Sequence, residues 1–166
     1  MNNYIDEEFY NIIKPILENE EFQKTKEITH HGITRFNHSL RVAYFSYKIT
    51  KALRLDYKET TEAALLHDFF LDDVENENAI AKLRKHPNYA VNKATQYFDL
   101  SNKQIDIIEK HMFPITFRPP KYMESWIVDL VDDGAAVYEK FYSFRRELTT
   151  AMTFLLILFV NILKLR

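Results

Sequence analysis

The most informative stretch of the chain is residues 63–70, which read Ala-Ala-Leu-Leu-His-Asp-Phe-Phe. Small and apolar residues lie on both sides of one imidazole and one carboxyl group, His67 and Asp68. A buried imidazole and carboxylate are unfavourable together unless a cation neutralises them. The alternative is an exposed helix C-terminus, where His67 interacts with the helix dipole. Because the flanking residues are apolar, the sequence favours the buried interpretation and a bound cation.

Helical patterns surround this stretch on both sides. Asp56 with Glu59 and Ser101 with Gln104 have the spacing of capping boxes, and the first predicts a helix that ends near Phe70. The chain has only two Gly and five Pro and no alternating strand pattern of useful length. We therefore predict an all-α fold, with further helices over residues 4–19, 37–53, 87–98 (opened by Pro87) and 124–140.

Composition narrows the class of protein. A length of 166 residues fits a single globular domain. The formal net charge of −2 argues against nucleic acid as a partner, although one pocket can still bind a small anion. The chain has no Cys, which excludes disulfides, thiolate metal ligands and a cysteine nucleophile. We expect a cytoplasmic protein without a signal peptide, because the first residues are acidic rather than basic.

The C-terminal part is unusually apolar. Residues 149–165 read TTAMTFLLILFVNILKL, which is shorter than the ~20 residues that span a bilayer. We predict a C-terminal helix over residues 143–166 that is buried against the rest of the domain. A hydrophobic membrane anchor and an oligomer interface are the alternatives, and the sequence does not separate them.

One further pair points to chemistry. His38 and Arg41 are three residues apart and therefore share a helix face. The imidazole can bind a metal there, and the guanidinium can bind a phosphate oxygen one turn away. The alternative is that Arg41 pairs with a carboxylate.

Read together, these residues resemble a known family. The segment His38-Ser39-Leu40-Arg41-Val42-Ala43 is followed by His67-Asp68, His86-Pro87, His111 and Asp132. This order resembles the HD-domain phosphohydrolase superfamily, in its branch with six ligands and two metals. The resemblance covers residues 32–138. The Glu124-Ser125 segment is similar to the corresponding segment in small bacterial members of the family that consist of this domain alone. It implies a compact multi-helix bundle with a metal site in its core, formed by one domain over residues 1–166 with an N-terminal helix in residues 1–23.

The resemblance also implies a ligand set. One metal would be held by His38, His67, Asp68 and Asp132, and the second by His86, His111 and another oxygen of Asp68. In the family a Lys often follows the last Asp, whereas Asp133 follows here, so Asp133 and Asp129 remain alternative ligands. Imidazoles with carboxylates suit two divalent transition-metal ions, namely Fe, Mn, Co, Ni or Zn.

The implied activity is metal-dependent hydrolysis of a nucleotide or another small phosphoester by a metal-bridging hydroxide. The catalytic residues would be Asp68, Arg41 and His31. Arg41 would bind the phosphate, with Arg118, Lys110 and Lys121 as weaker candidates. His31 would support a ligand or donate a proton to the leaving group, unless it is only an exposed loop residue. The alternative function is a metal-containing, nucleotide-sensing regulatory module without turnover, attached to a membrane or a partner through the apolar C-terminus.

Overall fold

The computed structural model describes residues 6–30, 33–71 and 78–164 of the chain. Within these ranges the chain forms seven α-helices and a short 3-10 helix, Lys24–Lys26. Two strands of two residues each, β1 (Thr29–His30) and β2 (Ile33–Thr34), form one antiparallel pair. The all-α prediction is confirmed. The helices are α1 (Glu7–Leu17), α2 (Glu20–Gln23), α3 (Arg35–Ala52), α4 (Tyr57–Leu66), α5 (Ala79–Ala94), α6 (Asn102–Lys110) and α7 (Met123–Lys164).

The two predicted capping positions begin the helices that follow them. The side chain of Ser101 accepts a hydrogen bond from the backbone N–H of Gln104, and the Gln104 side chain accepts one from the backbone of Ser101. The side chain of Asp56 accepts a hydrogen bond from the backbone N–H of Glu59 at the start of α4. These bonds satisfy backbone donors that have no partner inside a helix.

Two of the wrongly predicted helix boundaries lie close to residues of the candidate site. Helix α5 begins at Ala79, capped by Asn78, and Pro87 lies inside it as a buried residue rather than at its start. The proline removes one backbone donor, but the cap and the packing of the helix outweigh that loss. Helix α4 ends at Leu66 rather than Phe70, so that His67 is the first residue after the helix. This earlier end determines where the His67 side chain lies.

The core lies where α3 and α4 pack together, with α1, α6 and α7 around them. Val42, Ala43 and Tyr47 of α3 and the run from Ala63 to Leu66 of α4 are buried within it. Burial of such side chains is the main favourable contribution to folding, roughly 1.5–3 kcal/mol for each large one. The apolar half-turn before His67 is thus buried, as the sequence predicted, and it carries His67 into the interior.

Helix α7 differs most from prediction. It is one continuous helix of 42 residues, where the sequence predicted a helix over residues 124–140 and a separate C-terminal helix. The predicted burial of the C-terminal part was also wrong where side chains are described, because Leu148, Met152, Phe154 and Ile157 are at least half exposed. Among the described residues, none of the helices combines the length and hydropathy needed to cross a bilayer.

Candidate metal centre

Five separate helices bring six imidazole and carboxyl groups to one place. All six lie in groups whose ligand atoms are within 4.8 Å of one another. The groups come from distant parts of the sequence, so the site exists only in the folded chain. They are His38 of α3, His67 and Asp68 directly after α4, His86 of α5, His111 directly after α6, and Asp132 of α7.

The first set of donors surrounds Asp132. Its Oδ1 atom lies 2.8 Å from Nε2 of His38 and 3.4 Å from Nε2 of His67. The same His67 nitrogen lies 3.8 Å from Oδ2 of Asp68. His67 is fully buried, and Asp132 is only 8 % exposed. Donors at these separations can be bridged by one cation with only small side-chain movements.

The second set surrounds the other oxygen of Asp68. Oδ1 lies 3.4 Å from Nε2 of His86 and 3.9 Å from Nε2 of His111. The two imidazole Nε2 atoms are 2.7 Å apart. Two nitrogen lone pairs that face each other at this distance require a proton or a cation between them. Asp68 therefore faces both sets of donors, one with each oxygen.

Backbone carbonyls orient two of the imidazoles. Nδ1 of His67 donates to the carbonyl of Ala64 over 2.8 Å, and Nδ1 of His111 donates to the carbonyl of Ile108 over 2.7 Å. With the proton on Nδ1, the lone pair of Nε2 faces the centre. Nε2 of His67 is buried and has no hydrogen-bond partner. A buried acceptor without a partner is rare, so this atom fits a metal ligand well.

The two carboxylates remain ionised despite their burial. Burial opposes ionisation of Asp68, but the three imidazoles that face it outweigh this effect and lower its pKa to about 2. Burial opposes ionisation of Asp132 as well, yet the imidazoles of His67 and His38 hold its pKa well below the ordinary value. Two negative charges, one buried and one partly buried, favour a cation at this position.

The pKa values of three of the imidazoles shift in different directions. Burial disfavours the charged form of His38, but its hydrogen bonds to Asp132 and Glu139 raise its pKa to about 10. Burial and the neighbouring imidazoles lower the pKa of His111 to about 3, and burial also lowers the pKa of His86. His86 and His111 are therefore neutral, as metal binding requires, whereas a metal at His38 must displace a proton.

Glu139 contacts two residues of the candidate site, and the sequence patterns did not predict this. Its Oε2 atom accepts a hydrogen bond from Nδ1 of His38 over 3.0 Å, and its Oε1 atom accepts one from Nη1 of Arg41. Arg41 therefore pairs with a carboxylate, while 29 % of its side chain remains exposed. The available signal was spacing, because Glu139 follows Asp132 by two helical turns and shares its face of α7.

A stacked group supports the second set of donors. The ring of Phe70 lies against the ring of His86, with centroids 5.6 Å apart. The guanidinium of Arg35 lies 3.8 Å from the centre of the Phe70 ring, and its Nη1 donates to the Phe70 carbonyl over 2.5 Å. Arg35 is buried and thereby fixes the segment that follows Asp68. No sequence pattern predicts this arrangement, because Arg35 and Phe70 are far apart in the chain.

The remaining acidic candidates have different surroundings. Asp133 is exposed and belongs to none of the donor groups found in the described residues. Asp129 is buried and accepts a hydrogen bond from the backbone N–H of Phe113 over 3.1 Å, so it holds the segment after His111. Asp132 is thus the aspartate of α7 that reaches the centre.

Most of the weaker candidates for phosphate binding contact carboxylates of the protein. Arg118 bonds to Glu109 over 2.9 Å, and the buried Lys110 lies 3.1 Å from the same carboxylate. The backbone N–H of Lys121 donates to Asp106 over 3.0 Å. His31, the predicted proton donor, lies outside the described residues.

Comparison with protein families identifies this arrangement. The sequence model of the HD-domain family matches residues 35–136. The chain belongs to the HD-domain family. The matched segment is more than half of the sequence and contains all six converging side chains. HD domains are generally metal-dependent hydrolases, and this HD domain has clusters of His and Asp that can hold a divalent metal. A comparison with curated proteins found no match.

Proposed function

We propose that this HD domain is a phosphohydrolase that uses two divalent transition-metal ions to hydrolyse a nucleotide or another small phosphoester. The position of Asp68 carries the proposal. Its two oxygens face two different sets of imidazoles, 3.8 Å from His67 on one side and 3.4 Å from His86 on the other. A carboxylate shared in this way is expected where two ions use one common ligand.

The donor set fits such ions. Four imidazoles and two carboxylates, without thiolates, favour Fe, Mn, Co, Ni or Zn over Mg or Ca. His38, His67, Asp68 and Asp132 would hold one ion, and His86, His111 and Asp68 the other. When bound, these metals supply Lewis acidity, which activates water at neutral pH and neutralises charge on phosphoryl oxygens.

Side chains around the centre would bind and orient the substrate. Glu139 holds the ring of His38 and the guanidinium of Arg41 in fixed positions relative to each other. Arg41 also lines a groove of about 640 Å³ between α1 and α3, which includes Tyr10, Asn37 and Tyr44. Binding sites for small molecules have volumes of about 300–1,000 Å³. The groove thus has room for a nucleotide whose phosphate contacts Arg41.

The decisive experiment combines metal analysis with an activity screen. The purified chain is expected to retain transition metal through gel filtration, measured by elemental analysis. After incubation with Mn or Fe it is expected to hydrolyse at least one member of a panel of nucleoside monophosphates, dinucleoside polyphosphates and cyclic dinucleotides, with the products separated by anion-exchange chromatography. Asp68→Asn should remove both metal and activity, because it weakens the shared ligand.

Asp133→Asn is the matched control, since it removes an exposed carboxylate of α7 that lies outside the donor groups. It should retain wild-type metal content and activity. A metal-loaded chain that hydrolyses none of these compounds would contradict the proposal. Tight nucleotide binding without product would instead support a sensing module.

A further inference from the structure

Helix α7 has an apolar stripe on the side that faces away from the domain. Moving along the helix, exposed apolar side chains recur at intervals of three or four residues. They are 36–71 % exposed, which is unusual for large apolar residues in such number. The stripe consists of Met123, Trp126, Leu130, Val137, Phe141, Phe144 and Leu148, with Gly134 between Leu130 and Val137.

The opposite side of α7 packs against the domain. Val128 and Ala135 are buried in the core, and Asp132 and Glu139 reach the metal centre. The stripe is therefore a second face of the same helix, without a role in the site described above. At Gly134 the stripe is open, since an added Cβ would meet no atom within 4 Å. A glycine in this position permits close approach by another backbone.

The spacing of the stripe identifies the kind of partner. From Leu130 onward its members are four, three, four, three and four residues apart, and the sequence continues this repeat at Ala151, Leu155, Leu158 and Ile162. A seven-residue repeat of apolar residues over several turns is typical of a helix that pairs with another helix. No other helix of the described domain lies on this face, because its residues are exposed.

We propose that the stripe is covered by α7 of a second copy of this chain, in an antiparallel pair. If Phe141 of one copy lies opposite Phe144 of the other, the remaining positions also match. Val137 then lies opposite Leu148, and Gly134 lies opposite Ala151. Helix α7 extends to Lys164, so in this pair its backbone reaches alongside Met123 of the other copy. Such a contact uses the same surface twice and closes as a two-fold dimer.

Charges beside the stripe favour the antiparallel orientation. Lys140 and Glu147 occupy equivalent flanking positions, seven residues apart. In the antiparallel pair each Lys140 lies near Glu147 of the second copy, and this attraction occurs twice. In a parallel pair Lys140 would instead lie near Arg145 of the second copy, a repulsive contact between like charges.

The apolar area is sufficient for a stable dimer. Burial of one large apolar side chain removes roughly 60–120 Å² of surface from water. The seven exposed side chains of the stripe in two copies thus represent roughly 800–1,700 Å². Specific interfaces bury about 1,200–2,000 Å². The estimated area therefore overlaps the range of an ordinary interface.

The first experiment measures the mass of the whole 166-residue chain, loaded with metal, in solution. Light scattering coupled to gel filtration should give a dimer at micromolar concentration. Leu148→Glu places a charge in the stripe and should raise the dissociation constant of the dimer at least tenfold. Thr150→Glu is the matched control, because Thr150 is an exposed position of the same helix outside the repeat. It should leave the dimer intact.

The second experiment tests orientation, using the natural absence of Cys. Val137→Cys mixed with Leu148→Cys should give a disulfide between the two variants. Val137→Cys alone should not form one, because two copies of position 137 would be about 16 Å apart along the axis. Disulfides require Cα atoms within about 7 Å.

Three results would overturn the proposal. These are a monomer at about one hundred times the concentration used, a disulfide formed by Val137→Cys alone, and a monomer that floats with phosphatidylcholine–phosphatidylglycerol vesicles. The last result would assign the stripe to a membrane surface.

Discussion

Asp132 and Asp133 are neighbours in the sequence but have different surroundings. Asp132 lies 2.8 Å from His38, whereas Asp133 is exposed. Loss of a hydrogen-bond partner outside the ligand set weakens metal binding about 10–100-fold. We predict a larger loss of metal affinity for Asp132→Asn. Asp133→Asn should change it less than twofold. Titration with Mn or Co, followed by elemental analysis, measures both, and equal losses in the two variants would contradict this assignment.

Glu139 offers a second test of single side chains. Glu139→Gln keeps an oxygen that can accept from His38 but removes the charge that pairs with Arg41. We predict metal affinity about 10-fold lower and a larger increase in KM than decrease in kcat, because Arg41 loses its fixed position. Steady-state kinetics on the substrate found in the screen measures this split. Lys58→Gln, at an exposed position of α4, should leave both constants unchanged.

For single residues, the predictions from sequence agree with the structure only in part. The six side chains named from the order of His and Asp are those that converge, because a motif records which residue types the chemistry needs. Glu139, Arg35 and Phe70 were missed, since their roles depend on contacts between distant segments. The role of the six as metal ligands stays a prediction.

Among the helices, α7 carries three acidic residues close together, and Asp129 is the most affected. Burial and the charge of Asp133 raise the pKa of Asp129 to about 7. The folded chain thus holds this proton more tightly than the unfolded chain does. The resulting stability is present below pH 4 and is lost as the pH rises to about 7.

Asp129→Asn removes this dependence and keeps an acceptor for the backbone N–H of Phe113. Relative to wild type, we predict that the variant gains about 2–4 kcal/mol of unfolding free energy between pH 4 and pH 8. Urea unfolding with chelator present, at several pH values, measures the difference. Glu27→Gln, at an exposed position outside the stripe, should give a curve parallel to wild type, and a parallel curve for Asp129→Asn would contradict the prediction.

Helix boundaries were predicted where a local signal existed. Ser101 and Asp56 begin their helices because a cap acts within three residues. The start of α5 was misplaced because Pro87 favours a first turn locally, whereas Asn78 and tertiary packing place the helix start eight residues earlier. Tertiary packing likewise sets the end of α4, which the sequence pattern placed too late in the chain.

For the whole molecule, the metal centre joins five helices that are distant in sequence. A ligand that binds only the folded state stabilises it by about 2.7 kcal/mol when present at 100 times its Kd. We predict that removal of metal by a chelator lowers Tm by several degrees, and that added Mn or Co restores it. Asp68→Asn should show a much smaller response to both. Thermal unfolding followed by circular dichroism measures the change.

The all-α architecture was predictable because composition and helical periodicity both indicate it. The arrangement of α7 was not, since the sequence of residues 143–164 fits burial inside the domain as well as exposure on its outside. An isolated apolar run does not specify its partner. Only the packing of the first part of α7 determines that the rest of the helix extends beyond the domain.

The ends of α4 and α6 have a consequence for how this protein can change by mutation. The last four carbonyls of a helix have no donor within the helix, and Ala64 and Ile108 supply two of them to the imidazoles three residues later. The two rings are therefore oriented by main-chain atoms, which no side-chain replacement at positions 64 or 108 can delete. An insertion or deletion of one residue before His67 or His111 would instead turn the ring away by about 100 degrees. These two segments should tolerate exchange of residue type far better than any change of length.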